Sequence, residues 1–75
     1  MEAVVIGIKK VDFQGSDGPV KMTKWFLNFE SEGVEGKEIG SVSWNELRNG
    51  APPLLGVGEV VEVAYNKYGK LGISQ

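Results

Sequence analysis

Glycine and proline interrupt this 75-residue chain so often that no apolar segment is long enough for more than a short element. Glycine occupies 11 positions, about twice its average share of roughly 7% in proteins. The glycines are spread along the chain and not collected in one linker, so they mark turns and bulges. The sequence therefore predicts short β-strands joined by tight turns, in a single domain over residues 1–75.

The composition argues against catalysis and metal binding. The chain has no cysteine and no histidine. It therefore has no disulfide, no thiolate zinc site, and neither of the residues most used in acid–base and metal chemistry. The glutamates of the "ESEGVEGKE" segment do not follow a calcium-loop spacing, and we expect a solvated loop there. We predict a protein that is not an enzyme and has no cofactor, metal or small-molecule substrate.

The longest apolar stretch, residues 3–8, is far too short to span a membrane. It is preceded by Glu2 and not by the basic cluster of a secretion signal. These features predict an intact cytoplasmic protein with no membrane contact.

The first predicted strand, residues 3–13, changes its alternation part-way along. Val4, Ile6 and Ile8 share one face, whereas Val11 and Phe13 have the opposite parity. Such a change needs a kink, and the Lys9-Lys10 pair stands where it occurs. We expect a β-bulge or sharp coil at this pair, which would let one strand serve two sides of a barrel.

The second predicted strand, residues 20–30, carries aromatic side chains on both faces. Three large apolar side chains share the face that we assign to the core: Trp25, Leu27 and Phe29. Phe26 and Lys24 lie together on the other face. This second face is where an exposed aromatic could meet a ligand.

A third strand is predicted to end near Trp44 and to run into one helical turn over residues 44–48. Ser43 with Glu46 three residues later fits a capping box, and Asn49-Gly50 supplies a left-handed stop. We expect Trp44 to be buried against this turn.

The segment "APPLLGVG" cannot continue the helix because its two prolines lack amide donors. Its apolar residues are expected to plug the base of the core: Leu54, Leu55 and Val57. "EVVEVAYN" then predicts the fourth strand, "KYGK" a turn and "LGISQ" the fifth.

Five strands with one short helical turn between the third and fourth, after a long coiled first strand, is the order of the OB-fold. That fold is an all-β, five-stranded, partly open Greek-key barrel. Other small barrels fit the same order.

The chain resembles the OB-fold single-stranded DNA-binding proteins, in particular the small helix-destabilising proteins of filamentous phages and mobile elements. The resemblance covers the strand order, "TKWFLNF" in the second strand, "GVGEVVEV" opening the fourth and the hairpin "YNKYGKLGI". It implies a role in DNA replication. Members of the family bind DNA through a basic surface, whereas this chain has 10 acidic and 8 basic residues.

The acidity is concentrated in residues 25–46, which leaves the flanking segments slightly basic. Single strands are held by bases stacked on aromatic faces and by cations along the phosphates. We therefore predict a nucleic-acid site formed by these residues: Lys9, Lys10, Lys21, Lys24, Phe26, Lys67, Tyr68 and Lys70. We expect Tyr68 to be exposed at its turn, and Tyr65 to lie at the barrel rim.

These features predict a non-enzymatic, largely sequence-independent binder of single-stranded DNA, with RNA as an alternative ligand. The rival hypothesis is a protein-interaction or assembly barrel without a nucleic-acid partner. Clustering of the lysines on one face would favour the first, and dispersal the second. Because a barrel of this size has a thin core, we also expect a homodimer.

Overall fold

The computed structural model describes residues 1–74 as a curled five-stranded sheet with one short helix. The elements in chain order are β1 (Glu2–Gly15), β2 (Gly18–Phe29), β3 (Glu38–Asn45), α1 (Glu46–Asn49), β4 (Val60–Tyr65) and β5 (Leu71–Ile73). The strand order in the sheet is β3-β2-β1-β4-β5, and every neighbouring pair is antiparallel. The predicted five strands, with a short helix between the third and fourth, are confirmed.

The sheet curls until its edge strands β3 and β5 approach each other, but it does not close. A Cβ built on Gly40 of β3 would lie 3.1 Å from Cδ2 of Leu71 in β5. Nearby, Tyr65 Oη donates a hydrogen bond of 2.8 Å to Glu38 Oε2. Within residues 1–74 no backbone ladder joins β3 to β5. The edges therefore meet through side chains.

The core lies on the concave side of the sheet. Its buried apolar side chains are Ala3, Val5, Trp25, Leu27, Phe29, Val42 and Val63. The alternation predicted for β2 is confirmed, since Trp25, Leu27 and Phe29 are each 1% exposed. Trp25 Nε1 donates to the carbonyl oxygen of Leu55 at 3.2 Å, which ties the segment after the helix to the floor of the core.

The kink in β1 is found, but not at the lysine pair. The pairing between β1 and β2 shifts between Val5 and Gly7, so the extra residue is Ile6. Beyond Gly7 the pairing is regular, and Lys9 and Lys10 lie in an undistorted ladder. The predicted bulge at the lysines was wrong because it was inferred from side-chain polarity. The bulge lies at the point where β1 stops pairing with β4 and pairs with β2 alone.

The helix begins later than predicted. Asn45, not Ser43, is the N-cap, and its side chain accepts hydrogen bonds from the backbone of Leu47 at 3.0 Å and Arg48 at 3.1 Å. An asparagine oxygen at this position satisfies the same free amides that a serine would. The stop at Gly50 is confirmed, with φ of 83°.

The apolar segment after the helix is less buried than predicted. Only Leu55 packs against the core, while Leu54 is 97% exposed and Val57 is 65% exposed. Trp44 is half-buried against the core, and its Nε1 donates to the carbonyl of Gly50 at 2.9 Å. One leucine therefore closes the base of the core where three apolar side chains were expected.

The end of the β1–β2 hairpin projects beyond the rest of the sheet. β4 pairs with β1 only over residues 2–4, and β3 pairs with β2 only from Met22 to Phe29. The remainder of the hairpin is therefore two-stranded, in a molecule measuring 41 × 27 × 21 Å. In the part of the chain described, the four residues of α1 form the only helix, and nothing helical is long and apolar enough to cross a membrane.

Candidate nucleic-acid interface

The convex face of the sheet carries Phe26 at its centre. Residues directly opposite in an antiparallel pair share a face, and Phe26 pairs with Gly7 on β1 and Ser41 on β3. A Cβ on Gly7 would lie 3.3 Å from Cδ2 of the phenyl ring, so the ring rests over the glycine backbone. Phe26 is half-buried in this position. Phe26 is therefore a surface ring that rests on the backbone of Gly7.

Two lysines stand beside this ring. Lys24 and Lys9 are direct cross-strand partners and form the next pair after Gly7 and Phe26 on the same convex face. The ammonium of Lys24 lies 5.4 Å from the centre of the Phe26 ring, within cation–π range. Like charges directly opposite each other are unfavourable unless an anion lies between them. The pair therefore forms a cationic position next to an aromatic one.

Two serines complete this patch and were not among the predicted site residues. Ser41 is opposite Phe26 and Ser43 is opposite Lys24, and both are exposed. Their hydroxyls can donate to phosphate or base oxygens. The signal in the sequence was the alternation "SVS" around Val42, which sends both serines outward once that valine is buried.

Lys10 and Lys21 do not join this patch. Lys10 is opposite the buried Thr23, and Lys21 is opposite Asp12, so all these side chains point to the concave side of the hairpin. Both lysines are exposed because the hairpin projects beyond the core. The predicted lysines of β1 and β2 are thus divided between two faces.

The β4–β5 hairpin presents Tyr68 to solvent. Its side chain is 75% exposed, as predicted, and the Lys67 ammonium lies 5.1 Å from the ring centre. Asn66 Oδ1 accepts from the backbone of Tyr68 at 2.9 Å and of Lys70 at 3.0 Å, which holds the turn rigidly. Gly69 has φ of 77°, in the left-handed region that favours glycine. The tip is a small aromatic and basic projection.

The pairing places this tip and the β1–β2 tip at opposite ends of the sheet. β4 runs antiparallel to β1 beside its first residues, so the chain leaves β4 near Met1 and the start of β3. The β1–β2 turn is at the far end of both strands. The six predicted lysines therefore occupy three positions: the convex face, the concave side of the hairpin, and the β4–β5 tip.

The acidic segment 30–37 leaves the sheet at the same end as the β4–β5 tip. Within it, Lys37 Nζ lies 3.3 Å from Glu30 Oε1 in an exposed ion pair. Across residues 1–74 no three carboxylates come together as a metal-binding group. The loop is therefore a negatively charged projection. It would repel the phosphates of a bound DNA strand only if that strand passed close to it.

The tyrosine at the rim has a perturbed acidity. The hydrogen bond from Tyr65 Oη to Glu38, with partial desolvation and the carboxylate charge, raises the pKa of Tyr65 above its ordinary 10.0. Its ring also meets Phe29 edge-on, with 6.4 Å between centroids. Tyr65 thus joins the end of β4 to the start of β3, at the rim position expected for it.

Glu38→Gln is expected to lower the pKa of Tyr65 by removing the carboxylate. Because the folded pKa is raised, the stabilisation from this contact is complete below a pH of about 10 and is lost as pH rises through the folded pKa. Absorbance at 295 nm measures the titration in a Tyr68→Phe background, where Tyr65 is the only tyrosine. An unchanged titration in Glu38→Gln would show that the hydrogen bond is absent in solution.

Comparisons with protein-family models, curated proteins and solved structures gave no match to this chain.

Proposed function

We propose that this protein binds single-stranded DNA without catalysis and largely without sequence preference. The observation that carries the proposal is the pairing of a surface aromatic ring with a lysine ammonium at two separate positions. These are Phe26 with Lys24 at 5.4 Å and Tyr68 with Lys67 at 5.1 Å. A ring that stacks a base beside a cation that meets a phosphate is the unit from which sequence-tolerant single-strand sites are built.

The lysines over the rings do not block stacking. An exposed cation–π contact is worth about 0.5–1 kcal/mol, whereas stacking a base on an aromatic contributes about 1–3 kcal/mol. A base can therefore displace the ammonium, which then stays within reach of the adjacent phosphate. We propose that Lys24 and Lys67 exchange a ring contact for a phosphate contact on binding.

The proposed path crosses the convex face of β2 and β3. Phe26 supplies the central stacking position, with Lys9 and Lys24 as phosphate contacts and Ser41 as a hydroxyl contact. Tyr68, Lys67 and Lys70 extend the path at the end where β3 begins. This arrangement is supported by the strand order and the close approach of β3 and β5, which fit an open OB-like Greek-key barrel.

The rival proposal is an assembly domain that binds another protein. It is favoured by the dispersal of the six lysines over three positions, the arrangement expected for this alternative. The exposure of Leu54 at 97% and Val57 at 65% also favours it, since neighbouring exposed apolar residues often mark an interface. The homodimer expected from the thin core also stays a prediction. A protein-binding surface at this loop is compatible with nucleic-acid binding on the convex face.

Fluorescence anisotropy of a dye-labelled oligo-dT at two salt concentrations tests the proposed function. We expect binding at low salt that weakens as salt rises, because phosphate contacts release counterions. Replacing Lys9 and Lys24 with alanine should flatten the slope of log affinity against log salt by about 1.4, at about 0.7 per contact. The matched control is Lys10→Ala with Lys21→Ala on the concave side, which should change the slope less. No binding by the native protein at low salt would contradict the proposal.

A further inference from the structure

The concave side of the projecting β1–β2 hairpin is an open sheet face beyond Thr23, which is buried and donates a hydrogen bond of 3.3 Å to Glu46 Oε2 of α1. Ile8, on the same side as the buried Trp25, remains 39% exposed, and Lys10 and Lys21 are exposed beyond it. Two carboxylates lie at this face: Asp12 directly opposite Lys21, and Glu46 of α1 at Thr23, the cross-strand partner of Lys10. The surface therefore presents two lysine ammoniums outside any ion pair within residues 1–74, next to an apolar edge, and the proposed DNA path on the convex side does not use it.

The β2–β3 loop at the other end of the molecule has the complementary pattern. Val34, 39% exposed, stands between Glu32 and Glu35. Gly33 and Gly36 have φ of 83° and 87°, left-handed conformations that shape the loop. Glu30 in the same loop is paired with Lys37, but among residues 1–74 neither Glu32 nor Glu35 is in an ion pair. The loop thus presents an apolar residue between two uncompensated carboxylates.

We propose that the concave face of the hairpin binds the β2–β3 loop of a second copy of this chain. Glu32 and Glu35 of one copy would meet Lys10 and Lys21 of the other, with Val34 against Ile8. Charge complementarity selects this occupant, because neither lysine has an ion-pair partner in the described part of the chain. The two surfaces lie at opposite ends of the sheet, so each copy can contact one neighbour through its hairpin and another through its loop.

A head-to-tail contact of this kind joins two different surfaces and extends a row of molecules instead of closing a dimer. If the protein binds single-stranded DNA as proposed, this contact makes binding cooperative, because a bound copy raises the affinity of the next copy along the strand. Lys9 and Lys24 remain free for phosphates. In this arrangement the acidic β2–β3 loop contacts the next protein molecule, and its carboxylates are kept away from the phosphates that they would repel.

Carbodiimide cross-linking tests the contact without DNA, because this reagent joins an ammonium to a carboxylate in direct contact. Isotope-labelled and unlabelled protein are mixed at low salt, and cross-linked peptides are identified by mass spectrometry. We expect mixed-label links between the hairpin lysines and Glu32 or Glu35, and their loss at about 0.5 M salt through screening. Absence of these links at low salt would overturn the inference.

Charge exchange supplies the specific control. The double variant Lys10→Glu with Lys21→Glu should abolish the contact, and so should the double variant Glu32→Lys with Glu35→Lys. An equimolar mixture of the two double variants should restore it. Lys9→Glu with Lys24→Glu carries the same charge change on the convex face and should leave the cross-links intact. A mixture without links between the exchanged positions, or loss of the native links in Lys9→Glu with Lys24→Glu, would count against this contact.

A second measurement separates this inference from the proposed function. On long poly-dT, each charge-exchanged variant should lose most of the cooperativity of binding, and their mixture should recover it. If the cross-links form as expected but the native protein binds no single strand, the proposed function fails and the contact stands. If single strands are bound but no cross-links form, the contact fails alone.

Discussion

Replacing Trp25 with alanine is expected to remove a large fraction of the free energy of unfolding of this protein. Trp25 is 1% exposed in the centre of β2, opposite Ile8 on β1 and Val42 on β3. Truncating a buried tryptophan costs about 3–5 kcal/mol, and the hydrogen bond to the Leu55 carbonyl is lost with it. At roughly 0.05–0.15 kcal/mol per residue, a domain of this size has a total stability of only about 4–11 kcal/mol.

Urea unfolding followed by far-ultraviolet circular dichroism measures this loss. The matched control is Leu54→Ala, which removes an apolar side chain that is 97% exposed and should change stability by less than about 0.5 kcal/mol. Trp44→Ala should fall between the two, since Trp44 is half-buried and has its own hydrogen bond. A Trp25→Ala protein that unfolds at nearly the native urea concentration would contradict the placement of this side chain.

The double variant Phe26→Ala with Tyr68→Ala is expected to lose most single-strand binding. Each ring is proposed to stack one base at about 1–3 kcal/mol, and the two lie in different elements without a shared contact. Their effects should therefore add to about 2–6 kcal/mol, a decrease in affinity of roughly 30-fold to more than 10⁴-fold. Anisotropy with labelled oligo-dT at one low salt concentration provides the measurement.

The control variants keep an aromatic ring at each position and only add or remove its hydroxyl group. Phe26→Tyr and Tyr68→Phe should each bind within a few-fold of the native protein, because both retain a face for stacking. Thermal melts establish that the alanine variants are folded. Tyr68→Ala should melt as the native protein does, since its side chain is 75% exposed, so this variant alone still tests stacking if Phe26→Ala is destabilised. Unchanged affinity in a folded Tyr68→Ala protein would remove the β4–β5 tip from the site.

The strands, and the buried face of β2, could be predicted because the alternation of apolar and polar residues is a local property of the sequence. Trp25, Leu27 and Phe29 recur every second residue, and a period of two permits only one face to be buried. The turn positions could also be predicted locally, because glycine adopts a positive φ more readily than other residues. Both Gly50 and Gly69 have a positive φ in the structure. The helix cap was misplaced by two residues because Ser43 and Asn45 can both cap a helix, and only the end of β3 at Asn45 selects between them.

The grouping of the charged residues could not be predicted from the sequence. Lys9 and Lys10 are neighbours in sequence, yet they lie on opposite faces because adjacent residues in a strand point in opposite directions. A one-residue bulge at Ile6 reverses which of them shares a face with Phe26. An error of three residues in locating that bulge therefore changes the composition of the site.

The sequence by itself determined the all-β character of this protein, its five strands, the inward row on β2 and the exposed tyrosine at a tight turn. Each follows from interactions among residues a few positions apart. The tertiary structure decided the position of the bulge, the division of the lysines among three surfaces and the approach of β3 to β5. Those features depend on pairing between distant segments, where a shift of one residue changes the face on which every later side chain lies.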